Sequence, residues 1–170
     1  EIVPAILARN IPVVVVSAHF DEDIYKRLML QGVTDYIVKR TPDDMMYLMR
    51  VVSRLRANSG VEALIVDDSN LWCMQVSELL RRQRITAYTA SNGLEALQIL
   101  KGHPAIRVVL ADHYMPGMDG IKLTAAIRKT HTMDELSIIV ISVGTDAGAQ
   151  FLRSGANDYV FKTSSFEELL

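Results

Sequence analysis

The chain has 170 residues, of which 49% are hydrophobic and 22% are charged, a composition typical of a globular protein with one domain or two small ones. Its net charge of -2 and its pI near 6.1 leave no basic stripe, so nucleic-acid binding by this segment is not expected. The single cysteine, Cys73, cannot form an internal disulfide, and no apolar run approaches the ~18 residues that a membrane span needs. We therefore expect a cytoplasmic protein without a membrane-spanning segment.

The first part of the chain predicts two strands and two helices. The runs PVVVVSA, at 12–18, and GVTDYIVKR, at 32–40, read as strands, and an amphipathic stretch lies between them. A capped helix is predicted over 42–57. Its predicted apolar face consists of Met45, Leu48, Met49, Val52 and Leu55.

The stretch ANSG, at 57–60, predicts a linker. It divides the chain into a first domain over 1–59 and a second over 61–170. Because the chain opens EIVPAIL without Met and stops inside its last predicted helix, we expect a piece of a longer protein.

From residue 61 onward, five apolar strands alternate with amphipathic helices. The strands are ALIV, ITAYT, IRVVLAD, LSIIVIS and NDYVFK. The helices are predicted over about 70–82 and from about Asn92, Gly120, Asp146 and Ser165. Asn92 with Glu95, and Ser165 with Glu168, read as capping boxes. This alternation predicts an α/β domain with a doubly wound, five-stranded parallel sheet.

The first part of the chain repeats the end of the second part. The equivalent polar positions are Ser17 and Ser142, Tyr36 and Tyr159, and Lys39 and Lys162. Chance agreement of two strands, a helix and three polar positions is improbable. The first copy lacks its opening three strands, which would expose a sheet edge. Either a further segment of the polypeptide or another chain is expected to complete it.

Two carboxylates end the most hydrophobic segment, since Asp67 and Asp68 directly follow ALIV. Like charges at a strand end repel each other unless a cation or solvent relieves them. A helix cap by Asp68, Ser69 or Asn70 explains the pattern about as well as a metal site does. The other motifs of the chain are needed to choose between a helix cap and a metal site.

Polar side chains also follow other strands of the predicted sheet: Asp112, Ser142 and Lys162. Because ligands of an open parallel sheet bind outside the carboxyl ends of the strands, we expect these side chains to form one site with the acidic pair. Three carboxylates suit Mg²⁺, while Lys162 and the Ser142 hydroxyl suit an anion. Asp112 has the chemistry of a nucleophile that accepts a phosphoryl group.

With these motifs, residues 61–170 resemble the receiver (CheY-like) domain of two-component response regulators. The motifs are the acidic pair in VDDSN, the acceptor loop DHYMPGMDG at 112–120, the Ser in VIS, and the aromatic residue three positions before the Lys in YVFK. The resemblance covers nearly a whole receiver. It implies a flavodoxin-like fold, preceded by the C-terminal half of a second receiver-like unit.

The resemblance implies a metal site and a phosphoacceptor. Asp68, Asp112 and the backbone carbonyl of Tyr114 would ligate Mg²⁺, with Asp67 acting largely through water. A sensor histidine kinase or a phosphotransfer protein would supply the phosphoryl group to Asp112, and Lys162 would offset its charge.

The resemblance also implies a switch and partners. Ser142 would hydrogen-bond the phosphoryl group, and Tyr159 would turn inward behind it, which would change a partner-binding surface. A linked output domain would lie beyond residue 170; a diguanylate cyclase, a kinase and a DNA-binding domain are the usual classes. A homodimer is left open.

Two other functions are weighed against a phosphoacceptor. A phosphohydrolase is disfavoured, because Tyr114 stands where such enzymes usually carry a second Asp and no general acid is evident. A pseudo-receiver that acts as a dimerisation scaffold without phosphorylation is the stronger alternative. It suits the first copy better than the second, since the first copy shows neither an acidic pair nor an acceptor.

Two positions depart from the family pattern. Thr163 follows Lys162 where the family commonly has a Pro after a cis bond, and this departure is expected to tune phosphorylation without abolishing it. Val143 follows Ser142 where a small residue is usual. Together with Tyr114 it is expected to exclude water and to lengthen the lifetime of the phosphoryl group.

The other residues near the acceptor are given structural roles. Met115-Pro116 and Asp119-Gly120 read as turn and cap residues, with Gly120 permitting a tight bend. All four histidines, including His113 beside the acceptor, read as surface residues.

Overall fold

The structure is a computed structural model that describes residues 2–143 and 148–162. The chain divides into two compact units. The first contains the residues up to Gly60 together with Leu79–Ile85, and the second contains Val61–Glu78 together with the residues from Thr86 onward.

The first unit contains two parallel strands and three helices before Gly60. These elements are α1 (Ile2–Leu7), β1 (Val14–Ser17), α2 (Glu22–Gln31), β2 (Asp35–Val38) and α3 (Pro42–Ala57). Helix α2 begins where Asp21 accepts a hydrogen bond from the Ile24 N–H, and it ends at Gly32, whose φ of 93° closes the helix in the left-handed region. Helix α1 is not predicted by the sequence pattern.

The predicted apolar face of α3 is partly wrong. Ile37 of β2 forms a small core with Val51 and Leu55, and Leu48 packs against it. Met45, Met49 and Val52 are instead 48, 63 and 50% exposed. Residues spaced three and four apart form two neighbouring apolar stripes on this helix, and only the position of the strand beneath selects the stripe that is buried.

The second unit contains a five-stranded sheet, whose strands are β3 (Glu62–Val66), β4 (Thr86–Ala90), β5 (Ile106–Asp112), β6 (Ser137–Ser142) and β7 (Asp158–Phe161). The helices that follow its strands are α4 (Asn70–Arg82), of which the residues from Leu79 onward belong to the first unit, α5 (Gly93–Gly102), α6 (Gly120–Ile127) and α7 (Gly148–Ser154). All strand pairs are parallel, and their order is β4-β3-β5-β6-β7. The chain reverses its winding direction between β4 and β5, as in flavodoxin-like folds, so the predicted fold class is confirmed.

Capping determines where the helices of the second unit begin. The Asn92 side chain accepts from the Glu95 N–H at 3.0 Å, as the capping box predicts. The Glu95 carboxylate, however, accepts from the N–H of Ser91 at 2.8 Å. The predicted box of Ser165 and Glu168, and the helix start near Asp146, lie outside the described residues.

The core of the second unit lies at the centre of its sheet. Strands β3 and β6 are almost entirely buried, and Leu64, Val66, Ile138 and Val140 are each 0% exposed. Apolar strands of this kind are buried on both faces by helices. Among the helices that the structure describes, none has the length and apolarity that crossing a bilayer requires.

Candidate functional site

The polar residues predicted from the sequence meet at the carboxyl edge of the five-stranded sheet. Asp67 directly follows β3, Asp112 ends β5 and Ser142 ends β6. Asp112 pairs in register with Ile141, so it lies one row before Ser142. Lys162 directly follows β7, and its N–H donates to the Ser142 carbonyl at 2.8 Å. The parallel strands thus bring residues from four distant segments to one edge.

Three carboxylates form a cluster at this edge. Asp67, Asp68 and Asp112 each offer an oxygen, and these three atoms lie within 4.8 Å of one another. Asp67 and Asp112 are 1 and 6% exposed, whereas Asp68 is exposed. Oxygen ligands at this spacing fit a hard divalent cation, and Mg²⁺ prefers such ligands.

Lys162 lies between two of these carboxylates. Its Nζ is 2.7 Å from Asp67 Oδ2 and 2.7 Å from Asp112 Oδ1, and its side chain is only 18% exposed. Each buried carboxylate therefore has a charged hydrogen-bond donor. Burying a charged carboxylate without such a partner would lower the free energy of unfolding by roughly several kcal/mol.

The pKa values of Asp112 and Lys162 are both raised, for different reasons. Burial raises the pKa of the Asp112 carboxyl; Lys162 opposes this shift, and the negative charges of Asp67 and Asp68 add to it. Burial alone would lower the pKa of Lys162. Its hydrogen bonds to Asp112 and Asp67 outweigh burial and raise that pKa. Asp112 is thus a carboxylate in a setting that is unfavourable to its charge.

The acidic pair does not cap the following helix. Ser69 instead accepts a hydrogen bond from the Trp72 N–H through its Oγ, at 3.3 Å. The Asp67 carboxylate holds this turn by accepting from the Ser69 N–H at 2.9 Å. Capping is thus provided by Ser69, and the Asp68 carboxylate contributes to the acidic cluster.

The loop after Asp112 folds closely around the Asp112 carboxylate. The Tyr114 N–H donates to Asp112 Oδ2 at 3.1 Å, while the Tyr114 side chain is 64% exposed. Gly120 is required for a different reason from the predicted tight bend, because a Cβ there would lie 2.5 Å from the Asp112 carbonyl oxygen. The left-handed position of this loop is Gly117, with φ 81°. Asp119 caps α6 as predicted.

The two predicted switch residues are both at least partly buried. Ser142 is 1% exposed, and Tyr159 packs against the main core at 6.3 Å from the Phe151 ring. Val143, which the sequence places beside the site, is 66% exposed. Thr163 lies outside the described residues.

The structure departs from the sequence analysis at two side chains near Asp112. One was given a different role, and the other was not singled out. His113 is half-buried, with its ring 4.8 Å from Phe151, so its interpretation as a surface residue is wrong. Trp72 was not singled out, yet its ring lies 4.9 Å from Lys162 Nζ. The sequence signal for Trp72 was its place in the first turn after the acidic pair. Cys73 is buried, as a packing residue should be.

The comparison with known families agrees with this arrangement. Residues 63–170 match the model of the response regulator receiver domain. The chain belongs to this family. The match contains every predicted site residue, including Asp67, Asp112 and Lys162, and the receiver accounts for the second unit from β3 onward.

Curated relatives of this receiver include longer proteins with different names. A protein-glutamate methylesterase/protein-glutamine glutaminase of Natronomonas pharaonis is 36% identical over 115 residues, which are 64% of this chain and 31% of that protein. The regulatory protein AtoC of Escherichia coli is 35% identical over 107 residues, which are 62% of this chain and 23% of that protein. The chain therefore spans about a third or less of the length of these two relatives.

Solved structures extend the similarity to the whole chain. A putative two-component system response regulator/GGDEF domain protein is 38% identical, with a TM-score of 0.90 over 98% of this chain and 69% of that one. The receiver domain of the Saccharomyces cerevisiae response regulator Ssk1, solved with the histidine phosphotransfer protein Ypd1, is 25% identical. Its TM-score is 0.57, over 64% of this chain and 83% of the other.

Proposed function

We propose that this receiver accepts a phosphoryl group on Asp112 in a Mg²⁺-dependent reaction. The observation that carries the proposal is the Lys162 ammonium, which lies 2.7 Å from Asp112 at the carboxyl edge of the sheet. It gives a buried nucleophilic carboxylate a cation beside the position where negative charge arrives. Asp112 has its second oxygen bound to the Tyr114 N–H, which fixes the orientation of the carboxylate.

The donor set fits Mg²⁺. We propose that Asp68, Asp112 and the Tyr114 carbonyl hold the ion, and that Asp67 acts through water. When bound, Mg²⁺ neutralises negative charge on the phosphoryl oxygens. The close packing of the carboxylates, with oxygens within 4.8 Å, supports a cation there because repulsion among three like charges would otherwise remain.

The proposed reaction is an in-line phosphoryl transfer from a phosphohistidine of a partner. An oxygen of Asp112 forms a bond to phosphorus while the N–P bond breaks, and the imidazole leaves with the electron pair of that bond. The Lys162 ammonium then breaks its hydrogen bond to an Asp112 oxygen and donates to a phosphoryl oxygen instead. No redox change occurs, and no general acid is needed because the imidazole nitrogen takes up a proton from solvent.

The partner and output are proposed from related proteins. The Ssk1 receiver forms a complex with the phosphotransfer protein Ypd1, and a protein of that kind or a sensor histidine kinase is the proposed phosphoryl donor. The similar response regulator/GGDEF domain protein makes a diguanylate cyclase the proposed output. Phosphorylation would reach this output through Ser142 and Tyr159.

The experiment that tests the proposal is intact-mass measurement after incubation with acetyl phosphate, with and without Mg²⁺. A gain of one phosphoryl group is expected only with Mg²⁺, and Asp112→Asn should abolish it. Asp134→Asn, at an exposed aspartate outside the carboxylate cluster, is the matched control and should be phosphorylated normally. Absence of any gain in folded protein would favour a pseudo-receiver that acts as a scaffold.

A further inference from the structure

Trp72 lies against the lysine of the phosphoacceptor site. The Lys162 Nζ is 4.9 Å from the centre of the Trp72 ring, within the range of a cation–π contact. Both side chains are largely shielded from solvent, with Lys162 18% exposed and Trp72 half-buried. The electrostatic attraction of a cation to an aromatic face is strongest where water is excluded.

The position of the Trp72 ring depends on the same turn that holds the acidic pair. The Asp67 carboxylate accepts from the Ser69 N–H, and the Ser69 hydroxyl accepts from the Trp72 N–H. The Trp72 ring contacts Lys162, and Lys162 donates back to Asp67. These contacts link Asp67, Ser69, Trp72 and Lys162 in a ring. A displacement of the Lys162 ammonium would therefore also change the contacts of the Trp72 ring and of Asp67.

Trp72 differs chemically from the other neighbours of the ammonium. Asp67 and Asp112 also belong to the carboxylate cluster, so in the proposed reaction they would make other contacts, with the metal site and with the phosphoryl group. An indole ring face has no oxygen ligand for Mg²⁺ and does not react with a phosphoryl group. It can therefore keep the ammonium in place while the two carboxylates exchange partners.

We propose that Trp72 is a positioning residue that holds the Lys162 ammonium beside Asp112 through its ring face. The proposal rests on the proposed function for its role in phosphoryl transfer, although the contact itself can be tested without phosphorylation. Trp72 is proposed as a positioning residue and not as a catalytic one, because its effect is exerted through Lys162. The pairing predicts that the aromatic character of residue 72 matters more than its size.

The first test uses fluorescence, because Trp72 is the single tryptophan of the chain. Lys162→Met keeps an unbranched side chain and removes the charge, so the emission spectrum of Trp72 is expected to shift in metal-free protein. Lys122→Met is the matched control, since Lys122 is 68% exposed and pairs with Asp119 on α6. Identical spectra for Lys162→Met and the wild type would overturn the contact in solution.

The second test uses the rate of phosphorylation by acetyl phosphate in variants of residue 72. Trp72→Leu keeps an apolar side chain without a ring and is expected to slow the reaction by about 3- to 30-fold. Trp72→Phe keeps a ring and is expected to recover most of the rate. Equal slowing by Leu and Phe would show that Trp72 only fills space, and the proposal would then be wrong.

A double-mutant cycle separates positioning from folding. The unfolding equilibrium is measured for Trp72→Leu, for Lys162→Met and for the double variant. A coupling of about 3-fold or more between the two sites is expected, whereas additive effects would contradict the contact. This cycle and the fluorescence test remain valid if Asp112 accepts no phosphoryl group, so failure of the proposed function is distinguishable from failure of this inference.

Discussion

Two strand pairs of this protein have the same register but different surroundings. In the first unit Val14 pairs with Asp35 and Ser17 with Val38, and in the second Ile139 pairs with Asp158 and Ser142 with Phe161. Ile141 of β6 is 1% exposed, whereas the equivalent Val16 of β1 is 39% exposed. The same register of pairing therefore occurs in both units, whereas burial of the strand differs with its neighbours.

The outer edge of β1 shows which neighbour differs. The Val13 carbonyl accepts from the Thr34 N–H, and the Ser17 carbonyl accepts from the Lys39 N–H. Because the backbone groups of successive strand residues point to opposite edges, the N–H and carbonyl groups of Val14 and Val16 face the edge away from β2. The carbonyl in the second unit that is equivalent to that of Val16 belongs to Ile141, and it accepts from the N–H of His113, the residue after Asp112. Within the described part of the first unit, β1 pairs only with β2.

The same difference separates the two lysines. Lys162 contacts Asp67 and Asp112, which precede it by many residues in the chain. Lys39 occupies the equivalent position after β2, is exposed, and has no carboxylate partner among the described residues. A lysine at the end of this strand thus becomes part of a site only where two other strands supply carboxylates.

The largest expected effect is the contrast between the two lysines in phosphorylation. Lys162→Met is expected to slow acetyl phosphate transfer by about 100-fold, because it removes the cation that offsets phosphoryl charge. Lys39→Met should leave the rate unchanged. The comparison fails if both variants are slowed alike, as measured by phosphoryl incorporation per minute in intact-mass spectra.

The next effect compares two equivalent valines. Val140→Ala is expected to lower the free energy of unfolding of the second unit by about 2 kcal/mol, since it leaves a cavity at a fully buried position. Val15→Ala, at a half-buried position of β1, should cost the first unit less than about 1 kcal/mol. Urea titration is followed by Trp72 fluorescence for the second unit and by amide exchange for the first. Equal losses would contradict the difference in burial.

A smaller effect concerns the charge of Asp112. Because its folded pKa is raised, the second unit without Mg²⁺ loses stability as the pH rises from the unfolded pKa through that raised value. Asp112→Asn should remove this loss, so the metal-free variant should gain stability relative to the wild type as the pH rises towards neutral. Thermal unfolding in a chelator from pH 4 to 7 measures it. A stabilising effect of rising pH in the wild type, absent from the variant, would reverse the sign and refute the prediction.

The smallest effect concerns the residue that follows the equivalent serines Ser142 and Ser17. It is Val143 in the second unit and Ala18 in the first. Val143→Ala makes the two units alike at this position. It is expected to shorten the lifetime of the phosphoryl group by about 2- to 3-fold, because water reaches the site more easily. The decay of phosphorylated protein after removal of the donor measures it, and an unchanged decay would show that Val143 does not exclude water.

Most of the elements could be predicted from the sequence because their signals are local. Helix α4 begins and ends within the predicted range, and Asn92 accepts from the Glu95 N–H, as its capping box predicts. The repeat also follows from local pattern, since apolar runs and polar strand ends recur in order. The carboxylates and Lys162 could be assigned to one edge because parallel strands all end there.

The remaining features depend on contacts between residues far apart in the chain. The sequence does not show that the Trp72 ring contacts Lys162, that Met49 of α3 is exposed, or that Gly120 makes room for the Asp112 carbonyl. Each of these depends on which atoms of another element lie within a few ångströms. Sequence periodicity therefore determined the strands, the helices and the edge on which the site lies, and only tertiary packing decided which charges, rings and glycines meet there.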